Sequence, residues 1–599
     1  MLDRGATALA VAATVAFAAV MLLGVFFRYV LNASLSWSDE VALLIFGWAA
    51  FLYIASAYLH DQHVTVDVLV RRLPPRARAV AETVAHGLTG GYLAALLVSS
   101  VQAFEVIGRS HTDALQIPVG AHFLPIPVAA ALMLIHWLRR GLTWGKVLIA
   151  AGFLLVVLFP LGSIVQVSGG LKALVLALAL FGPMLIGVPV AVALGLMATL
   201  YVAMVGDMSF MTGALQTFNG INVYALLAIP LLILSGKLMH AAGIARRLVD
   251  FAQVLVGRIR GGLGASNVVA SFIFGDISGS AVSDTAAIGA LMVPQMKQRG
   301  YRADFCAALQ GAAGTLGMTA PLSITVLLYS AAASSSVSRL AAATIVPSLL
   351  LATSFIVLVM WHARRHNYPR EHVPRELVLP HVLRALPGLL ALVLVVAGIL
   401  GGVFTPAEVG TILLAYVLLL SVIAYRLRSP AALYRSCVEA GHITGMTMFM
   451  VCTSGFVGFV LARDLVSIQL VEALSQLGTN RYFVLFALSA AFIVLGMFLE
   501  PPAMIFGFLP TVLPLLAQAN VDLIHWGVLI AVNMGIGCIM PPVALNLFVS
   551  TQLAGVSYGQ AVRAVLPFIA LMLLDLAILA VFPQLSLWLP HVLFNYPLR

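Results

Sequence analysis

Charge is scarce in this sequence: 9% of its 599 residues are Asp, Glu, Lys or Arg, against roughly a quarter in a soluble domain. With 62% hydrophobic residues and a mean hydropathy of +1.06, the chain has too little polar surface to face water all round. It reads as an integral membrane protein. Cysteine is nearly absent: Cys306, Cys437, Cys452 and Cys538 stand far apart with no CxxC pair, which supports neither a disulfide framework nor a zinc site. Also missing are GxSxG, GxxxxGK[ST] and HExxH, so no motif speaks for a hydrolase, a nucleotide-driven pump or a metalloprotease. Any vectorial work must draw on another source, and an ion gradient is the natural one.

What is abundant is apolar length. Runs such as 8–27, 41–59, 86–107, 123–138 and 147–167 match the roughly 20 residues a helix needs to cross a bilayer, and about fifteen crossings fit the chain. Barrel strands alternate apolar and polar residues, and these runs do not, so the expected fold is an all-α multi-spanning bundle. The first run follows Asp3 and Arg4, is longer than a secretory signal core, and is expected to remain as an uncleaved helix. The net charge of +10 is gathered in clusters between apolar runs: Arg71, Arg72, Arg76, Arg78; Arg139, Arg140, Lys146; Arg246, Arg247, Arg258, Arg260; Arg364, Arg365, Arg370, Arg375; and Arg426, Arg428, Arg435. That placement marks cytoplasmic loops beside membrane lipid, not a nucleic-acid surface.

The charge pattern divides the chain. Residues 1–146 form a four-helix unit, 147–170 a linking helix, and 171–599 a longer region rich in Gly and Pro interruptions, with the polar stretch 362–384 as a cytoplasmic connection. The longer region contains a repeat, about 171–385 and 386–599. GDISGSAVSD starts at Gly275 and GMFLEPP at Gly496; Pro321 lies in GTLGMTAPLS (314–323) and Pro542 in GIGCIMPPVALN (535–546); both offsets are 221. Ser235-Gly236 and Ser454-Gly455 match at 219. An odd number of crossings per half would make the repeat inverted, and paired interruptions of this kind are the sequence-level pointer to a secondary transporter's binding site.

Inside a bilayer, unwound backbone survives only where protein or a wet cavity satisfies it. Breaks at 275–284 and 314–323 free carbonyl oxygens and add Ser and Thr hydroxyls, an all-oxygen set suited to sodium, while the opposing helix N-termini suit an organic anion. Asp276, Asp284 and Glu500 flank the breaks, and ionisable groups at membrane depth are functional by default; a boundary in water is the alternative, strongest for Asp276. Arg463 could meet a substrate carboxylate, although interfacial snorkelling is the simpler role. His60 and His63 have metal-like spacing without a further ligand nearby and read as a membrane-boundary cluster. Gly87 with Gly91, and Gly441 with Gly445, read as close helix packing.

Taken in order, several stretches resemble the tripartite ATP-independent periplasmic (TRAP) transporters with their small and large membrane subunits fused. Arg28, WSDE (37–40), HVTVD (63–67) and LQIPVGAHFLPIP (115–127) are similar to the Q-type subunit; GRIRGG (257–262), SGSAVSD (278–284), MVPQMKQRGY (292–301), FTPAE (404–408), GMFLEPP and PPVALNLF (541–548) to the M-type subunit. The resemblance covers almost the whole chain. It implies a sodium-coupled importer in the bacterial inner membrane, with an M part moving as an elevator, re-entrant hairpins and discontinuous helices. It further implies an organic-acid substrate, a carboxylate or sialic acid, delivered by a periplasmic substrate-binding protein, with sodium as coupling ion and no cofactor. Carried onto this sequence, it places Ser278, Gly279, Ser280 and Asp284 in a first hairpin and Gly496 and Glu500 in a second. The unwound segments around sodium and substrate are then Thr315, Gly317, Thr319, Pro321 and Ser323, and Met540, Pro541, Pro542 and Asn546. The sequence departs from the family pattern at Glu500 (commonly Asp), Ser283 (commonly Ala), Ala320-Pro321-Leu322 (a double proline) and Met540 (a threonine).

Three other readings compete. One is a self-sufficient sodium/carboxylate symporter that needs no binding protein. Another is a membrane-embedded enzyme using Asp284, Glu500 and one of His240, His442 or His525, which are isolated from one another. The last is a structural scaffold, against which the duplicated breaks argue.

Overall fold

A computed structural model describes residues 2–65, 70, 73–112, 114–141, 143–158, 169–205, 208–370, 374–425, 429–463 and 480–598. Among these residues every regular element is a helix; twelve helices are long and apolar enough to cross a bilayer, and five shorter apolar helices accompany them. The chain forms two compact units. One comprises Met1–Leu227, Cys437–Leu470 and Pro502–Val512; the other Ala228–Ser436, Val471–Pro501 and Leu513–Arg599. These units cut across the two sequence blocks, because chain from the later block packs with the earlier one.

In the first unit the helices Leu2–Tyr29, Ser38–Leu59, Pro75–Ile107 and Pro125–Arg139 are followed by Trp144–Leu158. The remainder of the expected linking helix, 159–168, lies outside the described residues, as do Arg71, Arg72, Arg426 and Arg428 and part of HVTVD. Small residues allow the helices to approach. A Cβ on Gly87 would lie 2.7 Å from Cβ of Ile149, and one on Gly445 would lie 2.7 Å from the Ile54 nitrogen. Buried polar groups pair within the unit: Thr7 and Ser56 hydroxyls are 2.8 Å apart, and Ser56 Oγ is 3.0 Å from His442 Nε2. Glu40 of WSDE clamps the loop before LQIPVG, accepting from Thr112 Oγ1 at 2.5 Å and the Ala114 N–H at 3.0 Å.

In the second unit two pairs of helix boundaries stand at the offset counted in the sequence. Ile324–Ala332 and Leu545–Ala554 begin 221 residues apart, and Ser336 and Ser557, N-caps of Val337–Arg365 and Tyr558–Val581, are also 221 apart. Ser336 Oγ accepts from the Arg339 N–H, and the Ser557 N–H and hydroxyl both donate to Gln560 Oε1, which fixes each start locally. Thr405 and Glu408 of FTPAE form a reciprocal capping box on Pro406–Leu419. The stretch 362–384, expected as a connection, is one only in its middle. Val337–Arg365 runs into it and Arg375–Leu400 starts inside it, since its Arg, Glu and Leu residues favour helix and its exposed face tolerates charge.

Candidate functional site

The first interruption is the tip of a helical hairpin. Gly262–Ser278 ends on Gly279, whose φ of +65° is a left-handed cap that favours glycine, and Ser280 then caps Ala281–Gln298 by accepting from the Ser283 N–H. Across the tip the Ser278 hydroxyl donates to the Asp284 carboxylate. Asp284 is fully buried, and its other oxygen has no hydrogen-bond partner among the described residues.

The second interruption meets this tip. Ala303–Gly314 and the short turn Leu316–Thr319 stop at Ala320-Pro321-Leu322, and Ser323 restarts the helix Ile324–Ala332. Pro321 has no N–H to continue a ladder, which is why the break falls there. Two bonds tie break to tip: the Leu322 N–H donates to Asp276 Oδ1 at 3.2 Å and the Ile324 N–H to the Gly279 carbonyl at 3.3 Å. Asp276 is therefore buried inside the unit, not placed in water at a boundary as the sequence alternative allowed. Thr315, Thr319 and Ser323 hydroxyls donate to the Ala312, Leu316 and Met318 carbonyls at 2.7, 3.1 and 2.7 Å, leaving lone pairs on oxygen. Ser348, unremarked in the sequence, donates to the Thr319 carbonyl at 2.6 Å.

The second repeat builds the same parts. Leu523–Ile539 stops at Met540, passes through Pro541 and Pro542, and restarts as Leu545–Ala554 after Ala544, whose φ of +48° is a strained left-handed conformation for a residue with a Cβ. Asn546 is fully buried, with neither amide atom hydrogen-bonded among the described residues. Tyr558, likewise unremarked in the sequence, donates to the Pro542 carbonyl at 3.0 Å. Arg481–Gly496 ends at Met497, and the half-buried Glu500 is the N-cap of Pro501–Gln518. Leu316–Thr319 packs on Leu523–Ile539, where a Cβ on Gly535 would lie 3.4 Å from Cβ of Thr315. The second unit thus brings together the first hairpin tip, the first break and the helix leading to the second break. Arg463 is exposed at the end of Pro430–Arg463 and belongs to the other unit.

Chemically, buried oxygens with lone pairs to spare suit a desolvated cation, because an unsatisfied acceptor in an apolar interior is costly. The described residues contain no group of three or more His, Cys, Asp or Glu able to hold a metal ion, so any cation site here is built of hydroxyl, amide and backbone oxygen with single carboxylates.

Residues 175–585 match the DctM component of the tripartite ATP-independent periplasmic transporters, and residues 17–144 match the DctQ component. The chain belongs to the TRAP transporter family. It carries the Q and M components in one polypeptide, is a multi-pass protein of the inner membrane, and is a transporter component, not an enzyme. Among similar TRAP proteins, the sialic acid permease SiaT of Haemophilus influenzae is 28% identical over 97% of both chains. The isethionate permease DctMQ of Oleidesulfovibrio alaskensis is 30% identical over 93% of this chain and 89% of its own. The C4-dicarboxylate large permease DctM of Pseudomonas aeruginosa is 36% identical over 66% of this chain and 93% of its own. Among solved structures, the Alcanivorax borkumensis YdaH transporter gives a TM-score of 0.42 at 14% identity, covering 60% of this chain and 86% of that one, a likeness too slight to carry an argument.

Proposed function

We propose that this TRAP protein imports a small organic acid, handed over by a periplasmic substrate-binding protein and driven by sodium bound at the paired breaks. One observation carries the reading: the buried Ser278–Asp284 tip is bonded to the Ala320–Ser323 break, and the break's turn packs on the helix leading to Met540. Hydroxyl, carboxylate and carbonyl oxygens there serve sodium; the restarting N-termini at Ser323 and Ala544 offer N–H groups and the positive end of the helix dipole to a carboxylate. The relatives named above are permeases for sialic acid, isethionate and C4-dicarboxylates, all of which carry an acid group. In this reading the two hairpins are re-entrant and the M part moves as an elevator.

Reconstitution tests it. Proteoliposomes should take up a labelled organic acid only with an inward sodium gradient and the cognate binding protein present. Uptake without sodium contradicts the coupling, and uptake without the binding protein makes the chain a self-sufficient symporter.

A further inference from the structure

Asp575 lies in the membrane-spanning helix Tyr558–Val581, is 2% exposed, and accepts a hydrogen bond from Ser354 Oγ at 3.0 Å. Its second oxygen has no partner among the described residues. The two residues are 221 positions apart, which is the repeat offset seen at Gly275/Gly496, Ile324/Leu545 and Ser336/Ser557. Equivalent residues of two copies related by a two-fold touch only where the axis passes between them. Ser354 and Asp575 stand at the repeat offset and touch, one position of the pair carrying a carboxyl and the other its hydrogen-bond donor, as an axis between inverted copies would require.

The surroundings decide what this carboxyl can hold. Phe568 on the same helix packs against Phe355 and Phe305, with ring centroids 5.7 and 6.0 Å apart, and Met572 packs at Gly535. Helices packed on Tyr558–Val581 bear the titratable groups Asp304, Cys306, His362, Arg481, Tyr482, His525 and Cys538, with Arg339, Arg364 and Arg365 near the ends of Val337–Arg365. Tyr558 and Arg563 lie on its own helix. None of these makes a hydrogen bond or ion pair to Asp575, and the nearest to Ser354 along its helix, His362, is eight residues away, about 12 Å of rise. A hard metal cation asks for about six or more oxygen ligands, and the side chain hydrogen-bonded to Asp575 is Ser354 alone among the described residues. A carboxylate without a counter-charge is costly in such a place, whereas a proton needs only the carboxyl itself.

The geometry points to Asp575 as a proton-binding site at its contact with Ser354, neutral in this conformation and ionised only when water reaches it. The step is carboxylate plus proton giving carboxylic acid, with the proton taken from and returned to water. Transport then slows at alkaline pH, because ionisation disfavours the packed repeat interface. The transport part rests on the uptake reading above; proton occupancy itself does not.

Two measurements on the full-length chain test it. Infrared spectroscopy of the purified protein should show a protonated-carboxyl band that shifts in heavy water and is absent from Asp575→Asn, whether or not uptake is observed; no band difference overturns the proposal. In proteoliposomes, the ratio of wild-type to Asp575→Asn uptake should fall by up to about tenfold per pH unit above the titration point and stay constant to within about twofold below it. The two proteins share binding protein and cargo, so their titrations cancel in the comparison. Ser354→Ala removes a donor that favours the charged form, so its alkaline limb should move to higher pH. Identical pH profiles in all three proteins overturn the proposal.

Discussion

Gly275 and Gly317 meet backbone to backbone: a Cβ on Gly275 would lie 2.7 Å from Cα of Gly317. One on Gly317 would collide with the Asp284 carboxylate. In the second copy a Cβ on Gly537 would lie 2.6 Å from the Gly496 carbonyl carbon, a close approach one residue out of register, since the offset of 221 pairs Gly317 with Cys538. Each hairpin is thus held to its broken helix by a glycine-on-glycine approach, at neighbouring rather than identical positions.

Gly317→Ala should consequently displace Asp284, costing on the order of 1–3 kcal/mol as overpacking does, and reduce uptake at least tenfold. Thermal stability in detergent and initial uptake rates check both effects. Gly243→Ala is the contrast: it has nothing within 4 Å of the added carbon but a φ of +73°, so it should cost about 1 kcal/mol with no change in apparent sodium affinity.

Ser280→Ala and Asn546→Ala should each raise the sodium concentration for half-maximal uptake about tenfold, equivalent to about 1.4 kcal/mol of lost interaction. Ser280 also caps a helix, so its loss carries a stability cost of about 1 kcal/mol. Asn546 has no bond to lose among the described residues, so its effect should fall on sodium alone. Unchanged sodium dependence in both variants removes them from the site.

His63 gives a pH prediction outside the spans. Burial pushes its imidazole down to about 4, against 6.5 in the open chain, while its Nε2 lies 3.2 Å from the Ile54 carbonyl. Between those values the unfolded chain takes up the proton and the folded one does not, so stability present above about pH 6.5 is lost as pH falls towards 4. At about pH 5 the loss is on the order of 2 kcal/mol. His63→Gln should melt with a shallower acid dependence than wild type, and parallel melting curves would count against this account of the imidazole.

The breaks were legible because Gly, Pro, Ser and Asp interrupt otherwise apolar runs, and a repeat offset can be counted in one dimension. The helical class was legible from run length alone, and the structure and the family match agree with it. Burial was harder to read. Asp276 stands one residue past a glycine, where a helix could as well end in water, and only the Leu322 N–H from 46 residues on shows that it is enclosed. Ser348 and Ser354 look like ordinary helical serines until their partners, Thr319 and Asp575, are folded against them. The grouping of 437–470 and 502–512 with the first unit depends on packing between distant segments, for which hydropathy gives no signal.

Sodium-driven import as proposed requires a cation held by the first hairpin tip, where Ser278 and Asp284 are joined. Equilibrium binding of radiolabelled sodium to the purified chain tests this directly. Saturable binding in wild type that weakens at least tenfold in Asp284→Asn is the predicted result; sodium binding that is absent, or identical in the two proteins, contradicts it.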